Sequence, residues 1–168
     1  MKKLVVVTGA SGAGKTTIAK ELERDKIHNL VFCYFDSVGV PSPEVMAKEF
    51  GGQESWQRTK TEDWVEMIKN KYLGDEIVLL DGQIRPVFVE LACKKQNIEN
   101  YEVVLIDCSD KVRRERLIER GHPNLVNSEM MNWAKVLREE CGSKGYNIID
   151  TTRLDLERSK VALFKLLQ

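Results

Sequence analysis

The residues with the clearest chemistry are Gly9-Ala10-Ser11-Gly12-Ala13-Gly14-Lys15-Thr16, which set glycines, a lysine and a hydroxyl in the spacing GxxxxGK[ST]. Glycine lets a backbone wrap closely around an anion and take up positive φ. Successive N–H groups then point inward, and the N-terminus of a following helix adds partial positive charge, so the run suits a chain of phosphates. Lys15 is spaced to reach the outer phosphates and the Thr16 hydroxyl to ligate Mg²⁺, with Thr17 beside it at the helix start. An apolar strand-like run precedes the loop and a helix-compatible segment follows, as this motif requires.

Two carboxylates end apolar runs of their own. Asp36 closes Phe32-Cys33-Tyr34-Phe35, and Asp81, followed by Gly82, closes Ile77-Val78-Leu79-Leu80. In parallel α/β folds ligands sit beyond the carboxyl ends of the strands, so both acids should face a bound nucleotide. Asp81 is placed to hold Mg²⁺ through water, as a Walker B acid does. Asp36 can take a proton from an attacking hydroxyl or share the magnesium shell. The plainer alternative for each is a cap on a helix or turn.

Arg113, Arg114, Arg116 and Arg120 follow the fourth apolar run, and 113, 116, 117 and 120 share a helical face. Phosphoryl transfer spreads charge over several oxygens and calls for such cations; a solvated face paired with Glu115 and Glu119 is the plainer alternative. Arg138 lies on the next helical segment and can swing in from a lid. Arg85 stands four residues beyond Asp81, where an acceptor would sit, and Arg58 lies beside Trp56. Trp56 and Trp64, eight residues apart, share a face that suits either core packing or stacking on a flat acceptor.

These residues need a frame. Five short β-branched or aromatic runs, Leu4–Val7, Leu30–Phe35, Ile77–Leu80, Val103–Ile106 and Asn147–Ile149, read as buried parallel strands. Helical segments are expected at 16–24, 54–72, 86–96, 111–119, 128–140 and 154–167, with Pro86 in a first turn and Asn127 or Ser128 as an N-cap. The alternation predicts a three-layer α/β/α domain around a five-stranded parallel sheet of order 2-3-1-4-5. One domain is expected over residues 1–168, with a helical insertion over 37–75 on the acceptor side and an Arg-rich lid over 120–141.

Composition bounds the alternatives. Lys+Arg and Asp+Glu both number 26, a balance that argues against a nucleic-acid binder. The apolar run at the N-terminus is too short for a secretory signal, and no stretch is long enough for a membrane helix. Cys33, Cys93, Cys108 and Cys141 are spaced for neither zinc nor a redox pair, and read as buried thiols. His28 and His122 are not spaced for a metal. A cytoplasmic protein, monomeric or weakly dimeric, is expected.

Leu79-Leu80-Asp81-Gly82-Gln83-Ile84-Arg85-Pro86 resembles the LLDGFPR segment of adenylate kinases and related nucleoside monophosphate kinases. That resemblance implies a metal role for Asp81 and a grip on an acceptor phosphate for Arg85. The run from Asp107 through Arg116 and Arg120 is similar to the segment that opens the lid of those enzymes. It implies that Arg116 lies by the adenine and phosphates, that Arg120 touches the phosphates, and that Arg138 ends the lid. Arg116-Leu117-Ile118-Glu119-Arg120-Gly121-His122 resembles the RLxxRxxH stretch of gluconate kinases. Asp36-Ser37 resembles shikimate kinase and chloramphenicol phosphotransferase, where the Asp is the base. Asp150-Thr151-Thr152 is similar to the adenine-side loop of this superfamily, which implies nucleotide contacts for Asp150 and Thr152. Gln83-Ile84 stands where the monophosphate kinases have Phe-Pro.

Together these imply a P-loop kinase that uses ATP and Mg²⁺ to phosphorylate a small molecule. A nucleoside monophosphate-like acceptor is favoured slightly over an alcohol with Asp36 as base. A regulatory NTP-binding or ATPase module and a polynucleotide 5′-end kinase stand as alternatives. On the leading reading Lys15, Asp36, Arg116, Arg120 and Arg138 are catalytic, Gly9–Thr17 with Arg116, Asp150 and Thr152 hold the nucleotide, and Asp36, Arg58, Asp81, Gly82 and Arg85 meet the acceptor. Thr16, Asp36 and Asp81 are the metal candidates.

Overall fold

The computed structural model describes residues 3–74 and 76–168; the first two residues of the expected domain and Asp75 at the end of the expected insertion lie outside it. Five strands form one parallel sheet: β1 (Lys3–Thr8), β2 (Leu30–Tyr34), β3 (Ile77–Asp81), β4 (Tyr101–Asp107) and β5 (Asn147–Asp150). Their order is β2-β3-β1-β4-β5, as the alternation predicts. Among the described residues seven α-helices accompany them: α1 (Lys15–Arg24), α2 (Pro43–Phe50), α3 (Gln53–Lys71), α4 (Pro86–Lys95), α5 (Asp110–Glu119), α6 (Ser128–Ser143) and α7 (Leu156–Leu167). None of the described helices is long and apolar enough to cross a membrane.

Alternation along the strands divides the core. Val5, Val7, Leu79, Val104 and Ile106 point to the face covered by α1 and α7, where Ile18, Leu22, Leu163 and Leu167 meet them. Leu4, Val6, Val78, Leu80 and Val103 point to the other face, packed by Val65 and Ile68 of α3 and Val89 and Cys93 of α4. On that face Leu105 is met by Leu137 and Cys141 of α6. A fully buried Val or Leu of this kind contributes about 1.5–3 kcal/mol relative to an exposed one.

Helix starts follow from capping. The side chains of Ser42, Ser109, Asn127 and Asp155 accept the backbone N–H of Val45, Val112, Met130 and Arg158 at the starts of α2, α5, α6 and α7. Each such cap is worth about 1 kcal/mol. The segment expected as a helical insertion holds a 3-10 turn at Phe35–Val38 and then α2 and α3. Gly51 at φ 80° ends α2 and Gly52 at φ 132° begins α3. The Phe50-Gly51-Gly52-Gln53 string is thus a helix–helix corner. The expected lid segment holds a 3-10 turn at Pro123–Leu125 and most of α6.

Register sets the site. Asp81 pairs with Val7 on one side and Tyr34 on the other, and Asp107 pairs with Asp150. The carboxyl ends of β2, β3 and β1 therefore stop together, next to the loop that leaves β1.

Candidate active site

Gly9–Gly14 turns from β1 into α1, with Gly9 at φ 149°, Gly12 at 82° and Gly14, the N-cap of α1, at 102°. A Cβ on Gly9 would stand 2.1 Å from the Ile106 carbonyl oxygen, so only glycine lets the loop lie this close to β4. Ala10 and Ala13 are buried beneath the loop, and Ser11 faces outward enough for its Oγ to accept a hydrogen bond from Gln83 Nε2 at 3.1 Å.

Lys15 begins α1 and is 8% exposed. Burial pushes its pKa down; Asp81 and then Asp36 oppose that, and Arg113 and Arg120 add to it. Asp81, at the end of β3, is 4% exposed. Its Oδ2 accepts the Thr16 hydroxyl at 2.5 Å, and its Oδ1 is buried without a hydrogen-bond partner among the described residues. Burial raises the Asp81 pKa against the pull of Lys15 and the Thr16 hydrogen bond. A buried carboxylate oxygen left without a hydrogen-bond partner beside a hydroxyl fits a cation ligand. Among the described residues Thr16 and Asp81 meet there, and no group of three or more His, Cys, Asp or Glu is assembled for a metal. That sparse oxygen set suits Mg²⁺, which keeps several waters and takes further oxygens from phosphates.

Gly82 stands against Phe35, where a Cβ would come within 2.5 Å of the Phe35 Cβ. Thr8 holds the next residues in place by donating to the Ile84 carbonyl and accepting the Ile84 N–H. Gln57 of α3 donates to the Gln83 carbonyl and accepts the Arg85 N–H. Arg85 itself is engaged twice: its Nε donates to Glu140 at 3.2 Å and an Nη to Glu54 at 3.0 Å. The second Glu140 oxygen accepts the Val87 N–H in the first turn of α4. Asp36 is exposed in the 3-10 turn after β2, and its charge bears on both Lys15 and Asp81.

The arginines of α5 divide in a way that face periodicity does not show. Arg113 is fully buried and bonds to the Ser11 carbonyl, the Cys108 carbonyl and Asp107 Oδ1, the last at 2.7 Å. Arg116 lies behind the phosphate loop, donating to the Ala13 carbonyl and to Thr151. Arg120 is exposed at the end of α5, near enough to influence Lys15. Arg138 reaches from α6 to Asp107 Oδ2 at 2.5 Å. Arg58 and Thr17 are exposed on α3 and α1.

Two clefts flank this machinery. One, of about 790 Å³ at the ends of β4 and β5, is lined by Asp107–Asp110, Arg138, Asp150 and Thr152–Leu154. Asp150 Oδ1 accepts the Thr152 N–H, and Thr152 Oγ1 accepts the Ser109 N–H, so two expected nucleotide contacts also brace the loop. The other, of about 620 Å³, lies between the β2 end, α3 and α6, and includes Asp36, Trp56, Arg85 and Trp133. Phe35 meets Trp56 edge-on beneath its wall, with ring centroids 5.9 Å apart; both belong to the core, and Trp64 packs against the same cluster. Glu140, Gln57, Asp107 and Thr151 escaped sequence reasoning as site residues. Asp107 had a usable signal, since it ends β4 as Asp81 ends β3, whereas Asp36 lies in the 3-10 turn beyond β2.

Residues 5–134 match the family model of an AAA domain. Two sequences from strains of Clostridium kluyveri, each called a nucleotide-binding protein, are 28% identical over 158 residues, covering 90% of this chain and 48% of theirs. The chain thus spans about half the length of the curated relatives it matches. A sugar kinase from Janibacter sp. HTCC2649 superposes with a TM-score of 0.66 at 21% identity, covering 99% of this chain and 95% of that one. A gluconokinase from Sinorhizobium meliloti 1021 gives 0.65 at 18%, covering 99% and 94%. A shikimate kinase from Acinetobacter baumannii, in complex with shikimate, gives 0.64 at 17%, covering 98% and 92%. At these identities the likeness is one of fold. The chain belongs to the AAA domain family and has a nucleotide-binding P-loop fold of the kinase type.

Proposed function

We propose that this chain is an ATP-dependent kinase that phosphorylates a hydroxyl group on a small molecule. The observation that carries the reading is Asp36. It is an exposed carboxylate on the wall of the smaller cleft, close enough to Lys15 and Asp81 to bias both. A general base must stand where the acceptor hydroxyl and the terminal phosphate meet. A phosphate-bearing acceptor is the rival within the same class, with Arg85 as its grip, as the resemblance to monophosphate kinases implies. Arg85 is already shared between Glu54 and Glu140, which favours the hydroxyl acceptor.

In this reading the loop N–H groups and Lys15 hold the triphosphate, and the cleft beside Asp150 and Thr152 takes the base. Thr16 and Asp81 would hold Mg²⁺, which when bound neutralises charge on the phosphate oxygens. The acceptor oxygen forms a bond to the terminal phosphorus, the bond from that phosphorus to the ADP oxygen breaks, and the hydroxyl proton passes to Asp36. Arg120, and Arg138 once drawn off Asp107, would approach the transferred group if the segment 120–141 moves as a lid, whose closure would exclude water. The segment 37–75 walls the acceptor side. Four free, buried cysteines suit a reducing, cytoplasmic setting.

A second reading, a nucleotide-responsive module that acts through conformation, is favoured by the name carried by the Clostridium kluyveri relatives and by their greater length. The test is ADP release from ATP–Mg²⁺ across two acceptor panels, one of nucleoside monophosphates and one of alcohols, sugars and nucleosides. Stimulation by an alcohol supports the proposal. Stimulation by monophosphates alone gives Arg85 the acceptor role. ATP binding with silence across both panels favours the conformational module.

A further inference from the structure

The wall of the smaller cleft carries three carboxylates, Asp36, Glu54 and Glu129, against one guanidinium, Arg85. That guanidinium is neutralised within the protein by Glu54 and Glu140, and it lies over the Phe88 ring, 5.4 Å from its centroid. Asp36 and Glu129 are both exposed, come from different elements, and have no ion pair among the described residues. Glu129 in the first turn of α6 suits the helix dipole, which alone would account for its presence. The second feature is aromatic: the half-buried Trp133 lines the same space, above Phe35, Trp56 and Phe88, which are at most 5% exposed. Aromatic faces attract cations, by about 0.5–2 kcal/mol. Among the described residues that line the cleft Arg85 is the one cation; Lys15 and Arg113 are buried at the phosphate loop and Arg138 lines the other cleft.

We infer that the cleft selects an acceptor that is positively charged: an alcohol bearing an amine or quaternary ammonium group. The inference rests on the hydroxyl-kinase reading for the transfer and on the cleft for the charge. The cation is held between the carboxylates and the Trp133 ring, and the hydroxyl turns toward Asp36 and the phosphate loop. There the oxygen bonds to the terminal phosphorus as the bond to ADP breaks, and the proton goes to Asp36.

The test separates charge from chemistry by using matched probes: choline against 3,3-dimethyl-1-butanol, glucosamine against glucose, and gluconate and glucose 6-phosphate as anions. Binding is read by tryptophan fluorescence, since Trp56 and Trp133 line the cleft, and transfer by ADP release. The amines should bind about tenfold more tightly than their neutral partners. Glu129→Gln should remove most of that preference, and Glu129→Asp should restore it, which a merely structural loss would not do. Neutral probes binding as tightly as the amines, anions binding more tightly, no probe binding, or a preference untouched by E129Q would each overturn the inference. Amine binding without ADP release would uphold it and sink the kinase reading. ADP release driven by neutral alcohols alone would do the reverse.

Discussion

Thr16 donates its hydroxyl to Oδ2 of Asp81 across 2.5 Å, joining the first turn of α1 to the end of β3. Residues 65 positions apart are thus brought together by the pairing of β3 with β1, in which Val7 sits beside Asp81. The contact is set by sheet register, and it holds one carboxylate oxygen while the other is buried without a hydrogen-bond partner among the described residues.

Lys15 lies in the field of the same carboxylate and is almost wholly withdrawn from water. Lys15→Ala should lower the rate of ADP formation by about 10²–10³-fold, the cost typical of losing one preorganised stabiliser of transition-state charge. The urea midpoint should fall little, because removing a desolvated ammonium offsets the lost packing. Steady-state kinetics with a denaturation curve on the same sample checks both.

Asp36→Asn keeps the size and the hydrogen-bonding capacity of an exposed side chain and removes its basicity. Turnover should drop by about 10²–10⁴-fold, with ATP affinity held within about twofold. An equal loss from both kcat and ATP affinity would indicate a magnesium ligand instead, and titration with Mg²⁺ at fixed ATP distinguishes the two.

Arg113→Met leaves Asp107 facing a buried surface with Arg138 as its one remaining ion-pair partner among the described residues, and strips the Ser11 carbonyl of its donor. Breaking a buried pair from one side costs about 3–5 kcal/mol. Chemical denaturation should show a loss near the lower end of that range, because Arg138 still neutralises Asp107.

Asp150 is held below the usual carboxylate range by the Thr152 hydroxyl and the Thr152 N–H, with help from Arg138 and Arg153. A carboxyl whose pKa is lower folded than unfolded adds stability above the unfolded pKa and loses it as pH falls through the folded one. Stability should therefore decline on the acid side of the ordinary carboxylate range, and Asp150→Asn should flatten that decline. Urea midpoints between pH 3 and 7, about the span over which carboxylates titrate, measure it.

Much of this was open to sequence reasoning because it depends on local pattern. β-branched runs located the strands, and the glycine spacing located the loop. Asp36 and Asp81 were found because an acid that ends a buried run must emerge at the sheet edge. What stayed hidden depends on contacts between distant segments. Helical spacing placed Arg113 and Arg116 on one face but could not say that Arg113 would turn inward to Asp107 while Arg116 braced the loop from behind. Nothing local in Gln57 or Glu140 announces that they hold the 83–87 turn, since that follows from how α3 and α6 dock. The Arg85 expectation rested on its distance from Asp81, and its two carboxylate partners lie 31 and 55 residues away.

Arg138 and Glu140 are two residues apart on α6, so they project to opposite sides of the helix. One reaches Asp107 in the cleft at the ends of β4 and β5, and the other reaches Arg85 and Val87 beside the smaller cleft. A displacement of α6 that drew Arg138 off Asp107 would also shift Glu140 against Arg85. Thermodynamic linkage would make any such coupling reciprocal: the factor that a ligand of one cleft imposes on the affinity of the other is the factor that a ligand of the other returns.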